Sequence, residues 1–111
     1  MDASVELQEF LEDGEQIEAI VFGPWGWDGM LSRVEERPVP ADRQGVVMSF
    51  DEAVPLMADW SFDGGFGMPD CHAVYVWTNQ RVIWVTQYDG STCLSAVPRN
   101  PMVCIPDMPG G

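Results

Sequence analysis

Between residues 73 and 97 apolar and polar side chains alternate with the two-residue period of half-buried strands. The pattern predicts three strands, 73–78, 81–88 and 91–97, joined at Asn79-Gln80 and Asp89-Gly90. Asp-Gly is a strong signal for a two-residue hairpin. These turns fix a register. Trp77 falls opposite Val82, Val76 opposite Ile83 and Tyr75 opposite Trp84; on the next pair Val85 meets Leu94, Thr86 meets Cys93 and Trp84 meets Ser95. One face then carries Val74, Val76, Ile83, Val85, Leu94 and Ala96, an aliphatic core face. The other carries Tyr75, Trp77, Trp84 and Tyr88, interspersed with Thr86, Ser91, Cys93 and Ser95. A slip of one residue exchanges the two faces, so the register is a sharp expectation.

Upstream the period changes. Leu7, Phe10 and Leu11 fall at i, i+3 and i+4, which predicts a helix over 4–13, capped by Ser4 and stopped by Gly14. Residues 17–22 read as a strand. Gly23 to Gly29 is a turn-rich loop holding Trp25 and Trp27, residues 35–44 are a charged, proline-bearing loop, and 45–48 is a short strand. Ser49-Phe50-Asp51-Glu52 has the form of a capping box and opens a second helix, 50–58, which Pro55 shortens or kinks. A second glycine- and aromatic-rich loop spans Trp60 to Gly67. After Pro98 a proline-rich, irregular tail is expected to lie on the domain. The elements together predict a small α+β fold in one domain, 1–111. Its twisted antiparallel sheet is centred on the meander and joined by strands near 17–22 and 45–48, with two short helices on one side.

Charge changes the picture most. The chain of 111 residues holds 18 Asp and Glu against 5 Lys and Arg, a formal net charge of −13, and all five cations are arginine. Such a field steers association toward cationic surfaces and argues against direct contact with nucleic acid or an anionic membrane. Hydrophobic residues make up 46% of the chain, enough for a folded core. No apolar run reaches the roughly 18 residues of a membrane-spanning helix, and the first residues are acidic where a secretory leader is basic, so the cytoplasm is the expected location. An odd set of cysteines, Cys71, Cys93 and Cys104, reads as reduced thiols.

The acids concentrate in the N-terminal third. Residues 1–32 contain Asp2, Glu6, Glu9, Glu12, Asp13, Glu15, Glu18 and Asp28, and no Lys or Arg. Asp2, Glu6, Glu9 and Asp13 step by four, three and four, placing them about 4.5–6 Å apart along one face of the predicted helix. A row of negative charges on a rigid rod has the electrostatics of a phosphate backbone; the simpler reading is a solvated helix face that keeps the protein in solution.

Catalytic chemistry is sparse. His72 is the single histidine and adjoins Cys71, an arrangement that points the two side chains apart in a strand. Nucleophile elbow, zincin and phosphate-loop patterns are absent. Cys71, His72, Cys93 and Cys104 lack the paired short spacings of a structural zinc site, so no metal or other cofactor is expected.

Tyr88-Asp89-Gly90-Ser91-Thr92, Pro98-Arg99-Asn100-Pro101 and Ile105-Pro106-Asp107-Met108-Pro109-Gly110-Gly111 resemble segments of small acidic proteins carried by phages and prophages. These are turn and tail motifs that bring no catalytic residues with them. Size and charge are also similar to those of phage anti-defence proteins, anti-CRISPR and DNA-mimic inhibitors among them.

The leading expectation is therefore a non-enzymatic inhibitor. It would dock on a basic, nucleic-acid-binding host protein through Asp2, Glu6, Glu9 and Asp13, with Trp25 and Trp27 as apolar anchors. The rival is a small-molecule binder using Tyr75, Trp77, Trp84, Trp60 and Phe66, with the two aromatic loops closing over the outer face of the meander. A homodimer that buries that face is a third expectation.

Overall fold

The computed structural model describes residues 2–26, 38–62, 70–88, 91–106 and 108. Its elements run α1 (Ala3–Phe10), β1 (Ile17–Trp25), a 3-10 turn (Ala41–Arg43), α2 (Phe50–Ala53), a second 3-10 turn (Val54–Met57), then β2 (His72–Thr78), β3 (Arg81–Tyr88) and β4 (Ser91–Pro98). The strands form one antiparallel sheet in the order β1-β2-β3-β4. This is the small α+β fold that the periodicity predicts.

Every register pair expected in the meander is present: Tyr75–Trp84, Val76–Ile83 and Trp77–Val82 between β2 and β3, and Trp84–Ser95, Val85–Leu94 and Thr86–Cys93 between β3 and β4. The Asp89-Gly90 turn lies outside the described residues, but the Tyr88–Ser91 pair brackets it. On β1, Ile20 pairs with Val76 and Phe22 with Val74, so the inner face gains two large apolar residues. Between Phe22 and Trp25 the ladder slips: Gly23 and Pro24 together oppose Ala73. Pro24 has no N–H to donate, and a bulge on an edge strand is where a sheet tolerates it. Gly23 is needed for close approach, since a Cβ there would sit 3.2 Å from that of Ala73.

The helices cover the inner face only. Ala3 and Leu7 of α1, Ala53 of α2 and Met57 of the following turn share one core with Ile20, Phe22, Val74, Val76 and Ile83. Four boundaries differ from expectation: β1 runs on to Trp25 through the bulge, where the sequence predicts a loop from Gly23, and three others differ for a local reason each. The cap of α1 is Asp2, whose Oδ1 accepts from the Val5 N–H at 3.0 Å and from the Ser4 hydroxyl at 2.5 Å, so Ser4 is displaced into the first turn. α1 ends at Phe10 instead of reaching residue 13, because Glu15 turns back on Glu12 (Glu12 N–H to Glu15 Oε1, 2.9 Å; Glu15 N–H to Glu12 carbonyl, 3.0 Å) and folds 12–15 into a tight turn. The segment 45–48 is not a strand. It touches the free edge of β1 through Gly45 N–H to the Phe22 carbonyl and a two-way Ile20–Met48 bridge, while Val47 stays 71% exposed.

The second helix keeps its capping box. Ser49 accepts from the Glu52 N–H, and the Glu52 carboxylate accepts from Ser49. Pro55 lacks the N–H that would bond the Asp51 carbonyl, and the segment tightens into the 3-10 turn from Val54 onward.

The tail is irregular, as expected. Asn100, Pro101, Met102 and Cys104 border a groove of about 510 Å³ with Gln80, Arg81, Ala96 and Val97, while Val103 is fully exposed and Ile105 95% exposed. Pro101 and Pro106 deny it a ladder along the edge of β4. Its root is fixed instead: the Arg99 N–H donates to the Gln80 carbonyl at 3.0 Å, and the guanidinium donates to the Thr78 carbonyl at 2.8 Å and to Glu18.

Candidate functional site

Three regions hold the residues that the sequence singles out: a buried clamp, the acidic helical layer, and the open face of the sheet.

The clamp joins residues far apart in the chain. Glu15 Oε2 accepts from Arg81 Nε at 2.9 Å and from the Thr78 hydroxyl at 2.6 Å, and Glu15 Oε1 accepts from Arg81 Nη2 at 2.7 Å. This is a bidentate fork, the strong geometry for a guanidinium and a carboxylate. Arg81 also donates to the Phe10 carbonyl at 3.0 Å, stacks over the Phe10 ring at 4.8 Å, and reaches Glu12 at 3.4 Å. The guanidinium, with the Thr78 hydroxyl and the Glu12 N–H, holds the Glu15 carboxyl down at about 2. Sequence spacing gives no hint of this pairing, because Arg81 lies outside the acidic third. Arg99 makes a single, exposed contact with Glu18, so Glu12, Glu15 and Glu18 do not simply extend an uncompensated field.

The helical layer keeps the remaining acids, though not as a single row. Asp2 caps the helix, and the Ser4 hydroxyl and then the Val5 N–H pull its carboxyl below the usual range. Glu6 turns inward: its Oε1 accepts from the Ser61 hydroxyl at 2.6 Å and from the Phe62 N–H at 2.9 Å, tethering the segment after the second 3-10 turn to α1. Glu9 is exposed on the helix, and Asp13 is exposed beyond its end. The stripe Asp2-Glu6-Glu9-Asp13 is thus broken, with two members spent on local structure and one displaced by the 12–15 turn. What replaces it is broader. Asp51, Glu52 and Asp59, from the other segment that covers the inner sheet face, are exposed together with Glu9, Glu12 and Asp13. The N–H and hydroxyl of Ser49 lower the Glu52 carboxyl, with Arg43 adding a smaller attraction. Neither 2–16 nor 49–62 contains a Lys or Arg.

The sheet's outer face is a third environment. Its cross-strand rows are Ala19–Trp77–Val82–Val97 and Val21–Tyr75–Trp84–Ser95, followed by Thr86–Cys93. None of these side chains is charged. Tyr75 is 58% exposed, Val97 is exposed, and Trp77 and Trp84 are half-buried, with the Tyr75 and Trp77 rings edge to face at 6.1 Å. A groove of about 550 Å³ opens beside Tyr75 and Trp84, bordered by Val21, Gly23, Ala73 and Gln44.

The structure brings Tyr75, Trp77 and Trp84 together on this face and separates them from Trp60. Trp60 is buried beneath the sheet, its Nε1–H donating to the Leu56 carbonyl at 2.7 Å. Trp25 packs there too. Its ring stands 5.0 Å from His72 and 5.8 Å from Trp60, in a cage that Phe22 and Phe62 complete. The aromatic loops, as far as they are described, therefore close over the inner face and not the outer one. Trp27 and Phe66 lie outside the described residues.

His72 has a role the sequence did not disclose. It is fully buried; its Nε2 accepts from the Val39 N–H at 3.2 Å, and its Nδ1 stands 2.9 Å from the Gly23 carbonyl. An N–H pointing at Nε2 requires that nitrogen to be the acceptor. Nδ1 then carries the proton and donates to Gly23, so the ring is a neutral tie between the bulge and residue 39. Adjacent Cys71 is buried, and burial, with Asp70 and Glu6 nearby, pushes its thiol up to about 12, the opposite of a nucleophile. Cys93 and Cys104 are exposed at separate places on the surface. Among the described residues no helix is long and apolar enough to cross a membrane.

Comparison of the chain with protein-family models, with curated proteins and with solved structures finds no match to any of them.

Proposed function

We propose that this chain is a non-enzymatic acidic binding protein that docks on a basic, nucleic-acid-binding protein in the cytoplasm and blocks it, as phage anti-defence and DNA-mimic inhibitors do. One observation carries the reading: six exposed carboxylates, Glu9, Glu12, Asp13, Asp51, Glu52 and Asp59, lie on the two segments that form the helical layer, and those segments supply no cation of their own. A surface of this kind raises the encounter rate with a cationic groove and repels nucleic acid itself. Two guanidiniums touch the margin of this surface: Arg81, forked on Glu15, reaches Glu12 at 3.4 Å, and Arg43, which donates to the Met48 sulfur at 3.1 Å, weakly attracts Glu52; Glu9, Asp13, Asp51 and Asp59 form no ion pair among the described residues. Glu6 and Asp2 act by holding the layer's shape; Glu9, Asp13 and Asp51 are the contacts.

The test is retention and competition. Tagged protein is immobilised, a bacterial lysate is passed over it at low salt, and bound proteins are eluted first with a short DNA duplex and then with salt. The expected result is a nucleic-acid-binding protein released by the duplex and no longer retained by the Glu9→Lys, Asp13→Lys, Asp51→Lys variant. If duplex DNA releases nothing, or if the charge-reversed variant retains the same protein equally well, the mimic reading is wrong.

A further inference from the structure

The sheet has two edges, and the chain treats them differently. The β1 edge is closed: the Gly23-Pro24 bulge interrupts it, and the backbones of Gly45 and Met48 bond to its Phe22 and Ile20. The β4 edge is bare. Among the described residues β3 is its only partner, and Ser91 to Val97 contain no proline, no charged side chain and no bulge. Native sheets blunt an edge with one of these devices, because unpaired N–H and C=O groups are a template for another strand. The register says which groups are unpaired. Tyr88 and Ser91 close a two-residue turn and so exchange both their bonds; Thr86–Cys93 and Trp84–Ser95 follow at every second pair. The backbones of Thr92 and Leu94 therefore point away from β3.

The same two residues border a groove of about 480 Å³ between α1 and β4, with Glu6, Glu9, Phe10 and Phe62 around them. Two observations say what fits it. The first is charge. Glu9 is exposed and forms no ion pair among the described residues, and neither 2–16 nor 49–62 contains a Lys or Arg. The second is an unanswered polar group. Thr92 is 5% exposed, and its hydroxyl oxygen is buried with no hydrogen-bond partner. A polar atom kept from both water and a partner is costly, so it marks a place where a partner is due. Alternation puts the Thr92 side chain, like that of Leu94, on the inner face of the sheet, the side on which α1 packs. Phe10 and Phe62 add the aromatic walls that suit the stem and plane of a guanidinium.

We propose that the β4 edge takes up an extended, arginine-bearing segment of the basic partner as a fifth strand, antiparallel to β4. The proposal rests on the reading of this chain as an acidic binding protein and names the contact. Thr92 and Leu94 each offer one N–H and one C=O to the added strand. Residues directly opposite them share their face, so their side chains point toward α1. An arginine there sets its guanidinium against the Glu9 carboxylate, beside Phe10 and Phe62, and brings a donor to the Thr92 hydroxyl. Main-chain bonds give such a contact its affinity, and the alternate side chains give it selectivity for a basic segment. A second copy of this chain is the poorer occupant, because it carries the same net charge of −13 and its own β4 has no cation to set against Glu9.

The test is fluorescence anisotropy of the full chain with a short labelled peptide of alternating arginine and valine. Two further versions carry N-methyl groups, either on the arginines, whose N–H groups would face β4, or on the valines, whose N–H groups would face away. The parent and the valine-methylated peptide should bind, and the arginine-methylated peptide should bind at least about tenfold more weakly. Glu9→Gln should weaken the parent peptide several-fold. Thr92→Val should weaken it about fivefold, yet unfold at an equal or higher temperature, because it removes an oxygen that the free protein leaves unsatisfied. Equal binding of all three peptides overturns strand addition and leaves the acidic-surface reading standing, since charge alone would then explain the contact. So does a parent peptide that fails to bind while duplex DNA still releases a captured protein from the immobilised chain. If the chain alone is a dimer by sedimentation velocity and the peptide dissociates it, a second copy fills the edge and the proposal is wrong.

Discussion

The two faces of the four-stranded sheet are built by alternate residues of the same strands, yet they meet opposite environments. The inner face carries Phe22, Val74, Val76 and Ile83, all buried under α1, α2 and their connecting turns. The outer face carries Tyr75, Trp77 and Trp84, the larger and more amphipathic side chains, and stays open to solvent. Size alone would put the aromatics inside. Here the aliphatic side chains are covered, and the aromatics that do go inside, Phe22, Trp60 and Phe62, come from outside the meander. Alternation sorts residues into two faces, but what covers a face is decided by the elements that can reach it.

Substitutions at matched positions break this comparison most severely. Phe22→Ala removes a fully buried ring from beside Trp60 and His72 and should cost about 4 kcal/mol. Tyr75→Ser, two strand positions from its neighbour Trp77 on the open side, should cost about 1 kcal/mol or less. Urea unfolding of both variants reads the difference directly. Equal losses would mean that the outer face is covered after all.

The clamp beneath the acidic layer comes next. Arg81→Leu strands the buried Glu15 carboxylate and should cost about 3 kcal/mol. The same pair sets a pH signature. The Glu15 carboxyl is held at about 2 in the folded protein against an ordinary value of 4.5. A lowered folded value gives stability that is present in full above about 4.5 and is lost as pH falls from there through about 2. Many other carboxylates titrate in that window, and protonating them relieves repulsion. The measurement is therefore the difference between wild type and Glu15→Gln from pH 6 to pH 2.5, and the gap should narrow steadily as the pH drops.

The buried histidine offers a smaller test. His72→Phe keeps the ring in the cage with Trp25 and Trp60 but leaves the Val39 N–H and the Gly23 carbonyl without their partner. A buried polar group left unpaired costs about 1–3 kcal/mol, so a loss of about 2 kcal/mol is expected. Hydrogen exchange at the Val39 amide should quicken by more than the global loss explains. If it does not, the tie between the bulge and residue 39 is not held by this bond.

How much of this was legible in the sequence depends on the distance between cause and effect. The meander's register was, pair by pair, with the strands running one residue further at His72 and Pro98, because two short turns fix register locally and a period of two does the rest. The capping box at Ser49 and the break at Pro55 were legible for the same reason. The helix end at Phe10 was not, because Glu15 answers to Arg81, 66 residues away, and that pairing folds the chain before Asp13 can join the helix. The acidic surface was visible as composition but misdrawn as a stripe. Glu6 has a private role with Ser61 and Phe62, while Asp51, Glu52 and Asp59 join the layer only once α1 and the second 3-10 turn are packed together. The tail's irregularity was legible in its prolines, but which of its side chains stand in solvent was not, because proline content carries no information about that.

The smallest expected effect lies on the acidic layer itself. Glu9 and Asp13 are exposed, and neither forms an ion pair among the described residues. Replacing both with Lys takes four units off a net charge of −13, from the arithmetic of two carboxylates lost and two ammoniums gained. Interactions between exposed charges are each worth a few tenths of a kcal/mol, so the double variant should be unchanged in stability or stabilised by up to about 0.5 kcal/mol at low salt. The gain should vanish in 500 mM NaCl, where charges more than a few ångströms apart no longer sense one another. A loss of more than about 1 kcal/mol would show that these carboxylates hold the fold, as Glu6 and Glu15 do. A neutral or favourable change would show that the fold does not require them. Their placement on a layer without cations of its own would then owe nothing to stability, and loss of a retained partner in the same double variant would separate a docking surface from a merely solvated face.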